Sequence, residues 1–162
     1  MHRFRRCRGD DPPMAELRDN PLLQDWNTPF GLAPFARIRA DHFLPAFERA
    51  FVAHAAEVAA IRDDAAAPTF ANTFAALDRS GRLLARVSRL FSNLAASETS
   101  AALQEVERSV APLLARHRSA ILLDATLYAR IDAVHAQRGQ RALAAEELRL
   151  VERTHLDFTR AG

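Results

Sequence analysis

Apolar residues recur at alternating steps of three and four along most of the chain after residue 40. This spacing places side chains on one face of an α-helix. The first such face is formed by Leu44, Phe47, Phe51, His54, Val58 and Ile61. Asp41 is a suitable N-cap for this helix, and Pro45 falls in its first turn, where the missing amide proton costs little. The pattern therefore predicts an amphipathic helix that begins near Asp41.

A second stretch repeats the same alternation across a glycine. Its face is formed by Phe70, Thr73, Leu77, Ser80, Leu84, Val87, Phe91 and Leu94. Thr69 is the predicted N-cap. Gly81 weakens a helix by about 1 kcal/mol relative to alanine, but the apolar face keeps its phase on both sides of it. We therefore predict one long helix here rather than two short ones.

Three further helices are predicted in the rest of the chain. The third begins near Thr99 or Ser100 and is expected to bend at Pro112, which lacks an amide proton. The fourth follows Asp124 and ends at Gly139, and the fifth runs to the end of the sequence. The apolar faces are Leu103, Val106, Val110, Leu113 and His117; Leu127, Ile131 and Val134; and Leu148, Val151, His155 and Phe158. Since no alternating strand pattern is present, we predict an all-α array of about five amphipathic helices.

Residues 14–40 precede these helices and have a different character. Prolines and a glycine exclude a regular helix here, namely Pro21, Pro29, Gly31 and Pro34. Trp26, Phe30 and Phe35 are too apolar for a free linker. We therefore predict an extended strap that lies over the helical domain of residues 41–162, with these three aromatic residues as its anchors.

The first 13 residues, "MHRFRRCRGDDPP", are a basic leader of doubtful origin. The leader lacks the apolar stretch of a secretory signal, and it is short for a transit peptide. We expect the native start to be Met14, with a basic arm for a membrane or nucleic acid as the alternative. Cys7, the single cysteine, lies in this leader, so neither a disulfide framework nor a cysteine metal site is predicted.

The charge distribution argues against a nucleic-acid partner. All 22 basic residues are arginines, and the net charge is +2. The leader holds four arginines and two aspartates, so residues 14–162 are neutral overall. Arg79, Arg82, Arg86 and Arg89 form a row on the second predicted helix, which we interpret as a solvated face rather than a site for an acidic partner or a nucleic-acid backbone. No stretch of about 18 apolar residues is present to span a membrane. We expect a cytoplasmic protein.

No catalytic or metal site can be assigned from the residues. A helical zinc hydrolase site needs His-Glu-x-x-His, and none of the six histidines is followed by glutamate. Glu152 and His155 give one Glu-x-x-His spacing, whereas a carboxylate-bridged metal pair needs two. His54, His117 and His155 all lie on apolar faces. We favour partly buried, hydrogen-bonded histidines at the edge of the core over a three-histidine site.

Other chemistry is also missing from the sequence. No serine lies in a Gly-x-Ser-x-Gly turn, and no glycine-rich phosphate loop occurs among the five glycines. The residues alone therefore indicate a helical module with no catalytic centre of its own.

Four collinear stretches nevertheless carry a resemblance. They are "NPLLQDWNTPFGLAPFARIRADHFLPAFERAF", "APTFANTFAALDRSGRLLARVSRLFSNLAASETS", "VAPLLARHRSAILLDATLYARI" and "LRLVERTHLDFTRAG". Together they resemble the amino-terminal helical region of the thimet oligopeptidase and neurolysin family of zinc metallopeptidases. "WNTPFG" ahead of "HFLPAFE" is most similar to the peptidyl-dipeptidase (dipeptidyl carboxypeptidase) branch. Ala71 departs from the family pattern, which prefers glutamate, and "ASETS" is looser than usual.

The resemblance implies a helical half that walls and caps a deep channel, which admits short unfolded peptides. In the complete family enzyme a zinc ion and its ligands belong to a catalytic domain downstream of Gly162. The implied partner is therefore that catalytic domain, with oligopeptide substrates only in the complete enzyme. By itself the chain is expected to bind no zinc and to be inactive.

Two hypotheses remain open. The fifth helix has no stop signal before Gly162 and little after it to pack on, so the chain is expected to be an amino-terminal fragment of such a peptidase. The alternative is a free-standing helical interaction module that complements a separately encoded catalytic half. A half-domain of such a peptidase should leave a large apolar face where its other half docks, and the candidates for that face are the ends of the second and fifth predicted helices.

Overall fold

A computed structural model describes residues 19–98, 100–140 and 142–161, except for the side chain of Pro29. The predicted leader of residues 1–13, its Cys7 and the proposed start at Met14 lie outside the described residues, as does Thr99. The α-helices whose bounds lie among these residues are, in order, α1 Phe43–Arg62, α2 Ala75–Arg79, α3 Arg82–Ser97, α4 Ala101–Leu122, α5 Ala125–Ala136 and α6 Ala145–Ala161. No β-strand occurs among the described residues. The prediction of an all-α helical array is confirmed.

Three of the predicted helix starts are formed by side-chain caps. Thr69 Oγ1 accepts a hydrogen bond from the Asn72 amide at 3.1 Å, and Asn72 Oδ1 accepts one from the Thr69 amide at 2.7 Å. Ser100 and Asp124 cap α4 and α5 by accepting bonds from Leu103 and Leu127. Each cap satisfies an amide that has no partner within its own helix.

The predicted N-cap of the first helix is wrong. Residues Ala40–His42 form a 3₁₀ turn, and α1 begins after it at Phe43. Asp41 pairs with Arg39 instead, while the ring of His42 accepts a hydrogen bond from the Arg39 amide at 3.2 Å. Pro45 lies in the first turn of α1, as predicted.

The predicted long second helix is also wrong, because the chain breaks at Gly81. A π-helical turn, Phe70–Phe74, leads into α2, which ends at Arg79. Ser80 is extended and Gly81 is left-handed, with φ of 68°, before α3 begins at Arg82. Only glycine adopts this conformation without steric cost. Both helices contact α1.

The fourth predicted helix ends earlier than expected. Gly139 was expected to end the fourth helix, but α5 ends at Ala136 and Gly139 lies in a 3₁₀ turn, Arg138–Gln140. Gly139 is not left-handed there, so it does not provide a left-handed C-cap. The α4 helix continues through Pro112 to Leu122.

The core consists of two apolar clusters that share α1. The first joins the strap and the first half of α1 to α3 and α4 and contains Leu22, Phe43, Ala46, Phe47, Val87, Leu90, Phe91, Leu103 and Val110. The second joins the last part of α1 to the π turn, α5 and α6 and contains Val58, Ile61, Phe74, Leu127, Ile131, Val134, Val151 and Phe158. The helix α1 therefore connects the two halves of the molecule. Within the described residues, every helix is too short or too polar to cross a bilayer.

Candidate functional site

The base of the strap is held by hydrogen bonds and by a buried leucine. Leu22 is almost fully buried in the first apolar cluster, and the Asn20 side-chain amide donates to the His42 carbonyl at 2.8 Å. Trp26 packs against the same cluster, and its indole N–H donates to the Pro21 carbonyl at 2.8 Å. Trp26 therefore lies between the base of the strap and the first apolar cluster.

Arg86 is the contact through which α3 holds the strap. Its Nη2 donates to the Leu22 carbonyl at 2.8 Å, and its guanidinium lies 5.0 Å from the centre of the Trp26 ring. The interpretation of the arginine row as a solvated face is therefore wrong for Arg86. Arg79, Arg82 and Arg89 are exposed, as that interpretation requires.

The tip of the strap points away from the helices. Phe30 is 98% exposed and has a left-handed backbone with φ of 60°, which is costly for a residue with a side chain. Thr28 closes this turn, because its carbonyl accepts from the Gly31 amide and its hydroxyl donates to the Leu32 carbonyl. Phe30 was expected to anchor the strap, and within this chain that expectation is wrong.

Phe35, the third predicted anchor, lies at the rim of a cavity. It is 53% exposed, and Leu32 beside it is 60% exposed. The cavity measures about 540 Å³ and lies where α3 ends and α4 begins, lined by Phe35, Ile38, Phe43, Leu94 and Leu103 among others. Phe30, Leu32 and Phe35 form an apolar edge, which we call the strap edge, next to this opening.

A second apolar cavity lies at the opposite end of the molecule. It measures about 310 Å³ and is lined mainly by Leu122, Leu123, Tyr128 and Phe158, where α4 ends, α5 begins and α6 ends. Leu123 at its rim is 60% exposed. The sequence predicts docking faces at the ends of the second and fifth predicted helices. One of the two cavities lies at each of these ends.

The predicted histidine set is divided between two places. His54 and His117 meet between the two apolar clusters, with His117 Nε2 2.9 Å from His54 Nδ1. His54 Nε2 lies 3.2 Å from Ser80 Oγ, at the break between α2 and α3. Burial lowers the pKa of both imidazoles, and in His117 the neighbouring His54 adds to this effect. These two are hydrogen-bonded, half-buried histidines at the edge of the core, as the sequence favours.

His155 lies elsewhere, on the face of α6 that contacts α5. Its ring stacks on the ring of His135, with centroids 3.7 Å apart and planes within 7°. His155 Nε2 lies 3.1 Å from a carboxylate oxygen of Asp132. Burial, followed by the neighbouring His155 and Arg138, lowers the pKa of His135. The three histidines on the predicted apolar faces, His54, His117 and His155, therefore do not form one site.

Asp132 and His135 were missed at the sequence level, although a pattern was present. Asp132-x-x-His135 on α5 has the same spacing as Glu152-x-x-His155 on α6. Residues at i and i+3 share a helix face, so two such pairs on neighbouring helices indicate a shared cluster. The packing of α5 on α6 then decides which members of the two pairs meet.

The chain was compared with known proteins. No protein-family model matches it. It is 39% identical over 146 residues to a dipeptidyl carboxypeptidase of Salmonella typhimurium, and the match covers 90% of this chain and 22% of that protein. It is 37% identical over 143 residues to a dipeptidyl carboxypeptidase of Escherichia coli, covering 88% of this chain and 21% of that protein.

The chain is therefore similar to part of these two bacterial dipeptidyl carboxypeptidases. It spans about a fifth of the length of these relatives. The zinc peptidases that the sequence resembles hold their metal ion with a His-Glu-x-x-His motif. This chain has no such motif, because none of its histidines is followed by glutamate. The residues present therefore do not fit the zinc site of such a peptidase.

Proposed function

We propose that the chain supplies a helical, non-catalytic region of a zinc peptidyl-dipeptidase, and that peptide hydrolysis requires the rest of such an enzyme. The similarity over 90% of the chain to a dipeptidyl carboxypeptidase carries the proposal. The sequence has no His-Glu-x-x-His motif with which to hold the zinc ion. The region would wall and cap the channel through which peptides reach the catalytic residues.

The apolar edges of the structure support a docking role. Large exposed apolar patches often mark a surface that binds another protein. Phe30 is almost fully exposed at the tip of the strap, and its left-handed backbone holds it there at a steric cost. We infer that the strap edge contacts the catalytic part of the enzyme.

The end of α6 offers a second contact. Phe158 and Leu123 line the cavity beside the last helical turn, so a segment that follows α6 in a longer chain would lie next to it. We infer that the catalytic region covers this cavity as well. The strap edge and this cavity lie at different ends of the molecule, which would fix the orientation of the cap.

A mixing experiment tests the proposal. The purified chain is combined with a Salmonella dipeptidyl carboxypeptidase from which the matching 146 residues have been deleted, in the presence of zinc and a peptide with a free carboxyl terminus. We expect neither part to release dipeptides alone and the mixture to release them. Release by the chain alone would contradict the assignment of a non-catalytic role.

The same experiment distinguishes the two ways in which the region could be used. Efficient complementation in trans favours a free-standing module that pairs with a separate catalytic half. If activity requires one continuous polypeptide, the chain acts as part of a longer protein. The exposed strap edge would contact the catalytic part in both cases. The affinity between the two separate parts therefore decides whether they work in trans.

A further inference from the structure

Asp132, His135 and His155 form a compact cluster of metal-ligating side chains for which the proposed function gives no role. One ligand atom from each residue can be chosen such that all three lie within 4.8 Å of one another. His155 Nε2 and the Asp132 carboxylate are already in contact at 3.1 Å. The cluster joins α5 to α6 at the surface, next to the second apolar cluster.

We propose that Asp132, His135 and His155 bind one divalent transition-metal ion, Zn²⁺ or a similar ion, which ties α5 to α6. Two imidazole nitrogens and one carboxylate oxygen are the donors that such ions prefer, whereas calcium and magnesium favour oxygen donors alone. The inference does not depend on the proposed function, because it concerns this chain by itself.

The positions of the three residues are suited to one ion. Asp132 and His135 are three residues apart on α5, so both side chains leave the same face of the helix. His155 approaches that face from α6. A ligand set drawn from two packed helices is held by the core beneath it, and here Ile131 and Val151 are fully buried there.

The proposed ligands differ in how far their side chains are exposed to solvent. Asp132 has a side chain that is 56% exposed, so an ion can enter from solvent on that side, whereas the side chain of His155 is only 19% exposed. The two imidazole rings lie on the protein side of the cluster and would provide the fixed part of the site.

Binding of one ion by both imidazoles requires rotation of at least one ring. In the stacked arrangement the two rings are nearly parallel, so their lone pairs do not converge on one point. Zn–N bonds of about 2.0–2.1 Å place the ligand atoms of a tetrahedral ion about 3.4 Å apart. His155 Nε2 and the Asp132 carboxylate oxygen, 3.1 Å apart, are already close to this separation, and all three ligand atoms lie within 4.8 Å of one another.

Two charged side chains near the site, Glu152 and Arg138, have opposite electrostatic effects on a bound cation. Glu152, one turn before His155, acts electrostatically on His135 and favours a positive charge there, whereas Arg138 opposes it. Arg138 also donates to the His135 carbonyl at 2.9 Å, which holds it close to the end of α5. Glu152 is a candidate fourth ligand, and a water molecule is the alternative.

Titration of the full chain with Zn²⁺ and with Co²⁺ tests the site. Calorimetry should give one Zn²⁺ ion per chain, and bound Co²⁺ should show the visible absorption of a tetrahedral site with nitrogen and oxygen donors. The melting temperature should rise with Zn²⁺, because an ion that binds only the folded state stabilises it. Ca²⁺ and Mg²⁺ should leave it unchanged.

Variants identify the ligands. Loss of a residue that only orients a ligand weakens metal binding about 10–100-fold, so His135→Ala and His155→Ala should weaken Zn²⁺ binding by about 100-fold or more. Asp132→Asn should weaken it too, and the exposure of Asp132 makes this change safe for the fold. Asp157→Asn, the same change at an exposed position of α6, is the matched control and should bind Zn²⁺ like the unmodified chain.

Several results would overturn the proposal. The absence of Zn²⁺ binding by the folded, unmodified chain would do so. Unchanged Zn²⁺ affinity in Asp132→Asn and in both histidine variants would place the ion on other residues. If a histidine variant fails to fold by circular dichroism, His155→Gln and Asp132→Asn still decide the question.

Discussion

His117 Nε2 and His54 Nδ1 lie 2.9 Å apart, and the surrounding hydrogen bonds fix which atom carries the proton. Ser80 Oγ donates its only hydrogen to the Leu77 carbonyl at 2.7 Å, so it accepts from His54 Nε2. His54 Nδ1 is then unprotonated and accepts from His117 Nε2. His54 is neutral in this arrangement, with its proton on Nε2, and His117 also carries a proton on Nε2.

Acid should therefore destabilise the protein through this pair. The pKa of each imidazole is lowered below its ordinary value of 6.5 in the folded state, so the unfolded chain takes up protons first. The stabilisation is complete above about pH 6.5 and is lost as the pH falls toward the lowered pKa values. His42 and His135 are shifted in the same direction. We expect a lower urea midpoint at about pH 5.5 than at about pH 7.5.

A variant separates the contribution of the pair. His117→Gln retains an amide donor for His54 Nδ1 but removes a titrating group, so its urea midpoint should depend less steeply on pH between the same two values. An identical pH dependence in His117→Gln and the unmodified chain would show that the pair does not control acid stability.

Gly81 should tolerate no side chain. Its φ is 68°, and a Cβ atom there would lie 3.0 Å from both Cε1 and Nε2 of His54. Gly81→Ala should lower the free energy of unfolding by about 2 kcal/mol, because a left-handed alanine costs 1–2 kcal/mol before His54 moves. Gly139→Ala is the control, since a Cβ atom there would have no neighbour within 4 Å and Gly139 is not left-handed. Urea denaturation should show little change for it, and equal losses in both variants would refute the explanation.

Removal of Arg86 should loosen the strap. Arg86→Ala removes the hydrogen bond to the Leu22 carbonyl and the contact with the Trp26 ring, with an expected loss of about 2 kcal/mol. Trp26 is the only tryptophan, so its fluorescence reports the strap directly and should shift to the red. Arg89→Ala, an exposed change on the same helix, should leave the emission in place. A red shift in Arg89→Ala of the same size would contradict this role.

Arg130 should stabilise the loop between α1 and the π turn. It is only 9% exposed, and its Nη1 donates to the carbonyls of Asp64 and Ala66 at 2.6 and 3.2 Å. Arg130→Met leaves those carbonyls without this donor and should cost about 2–3 kcal/mol in urea denaturation. Arg149→Met, at an exposed position, should change stability by less than about 0.5 kcal/mol. Equal stability of the two variants would be inconsistent with the proposed bonding.

The strap edge should matter for activity but not for the stability of the chain. Phe30 and Leu32 are exposed, so a Phe30→Ser/Leu32→Ser double variant should unfold at nearly the same urea concentration as the unmodified chain. In the mixing experiment with the catalytic part, the same variant should give much less dipeptide release at equal concentrations. Full release would exclude the strap edge as a docking surface.

Sequence patterns predicted the parts of the fold that depend on local chemistry. Thr69 was identified as a cap because a short polar side chain before an apolar run is typical of a helix start, and helices were predicted to begin near Thr99 or Ser100 and after Asp124. The break at Gly81 was missed, since periodicity reports which face is apolar and not whether the backbone between two faces is continuous. The helical pattern of the two flanking segments happens to remain in phase across the left-handed glycine.

The candidate sites were less predictable, because they depend on contacts between distant residues. Arg86 has the spacing of its exposed neighbours, and only the position of the strap identifies it as a partner of Trp26. Phe30 was expected to be buried because it is aromatic, whereas the turn closed by Thr28 directs it outward. His155 was grouped with His54 and His117 by its apolar face, but the packing of α5 on α6 brings it to His135.

The most direct test of the central claim joins this region to a known catalytic part. In a single-chain chimera, the residues of this chain that match the Salmonella dipeptidyl carboxypeptidase replace the corresponding 146 residues of that enzyme, and dipeptide release is measured by mass spectrometry. If the chain is the helical cap of a peptidyl-dipeptidase, the chimera releases dipeptides and the same enzyme without the segment does not. A folded, zinc-loaded chimera that releases none would contradict that role.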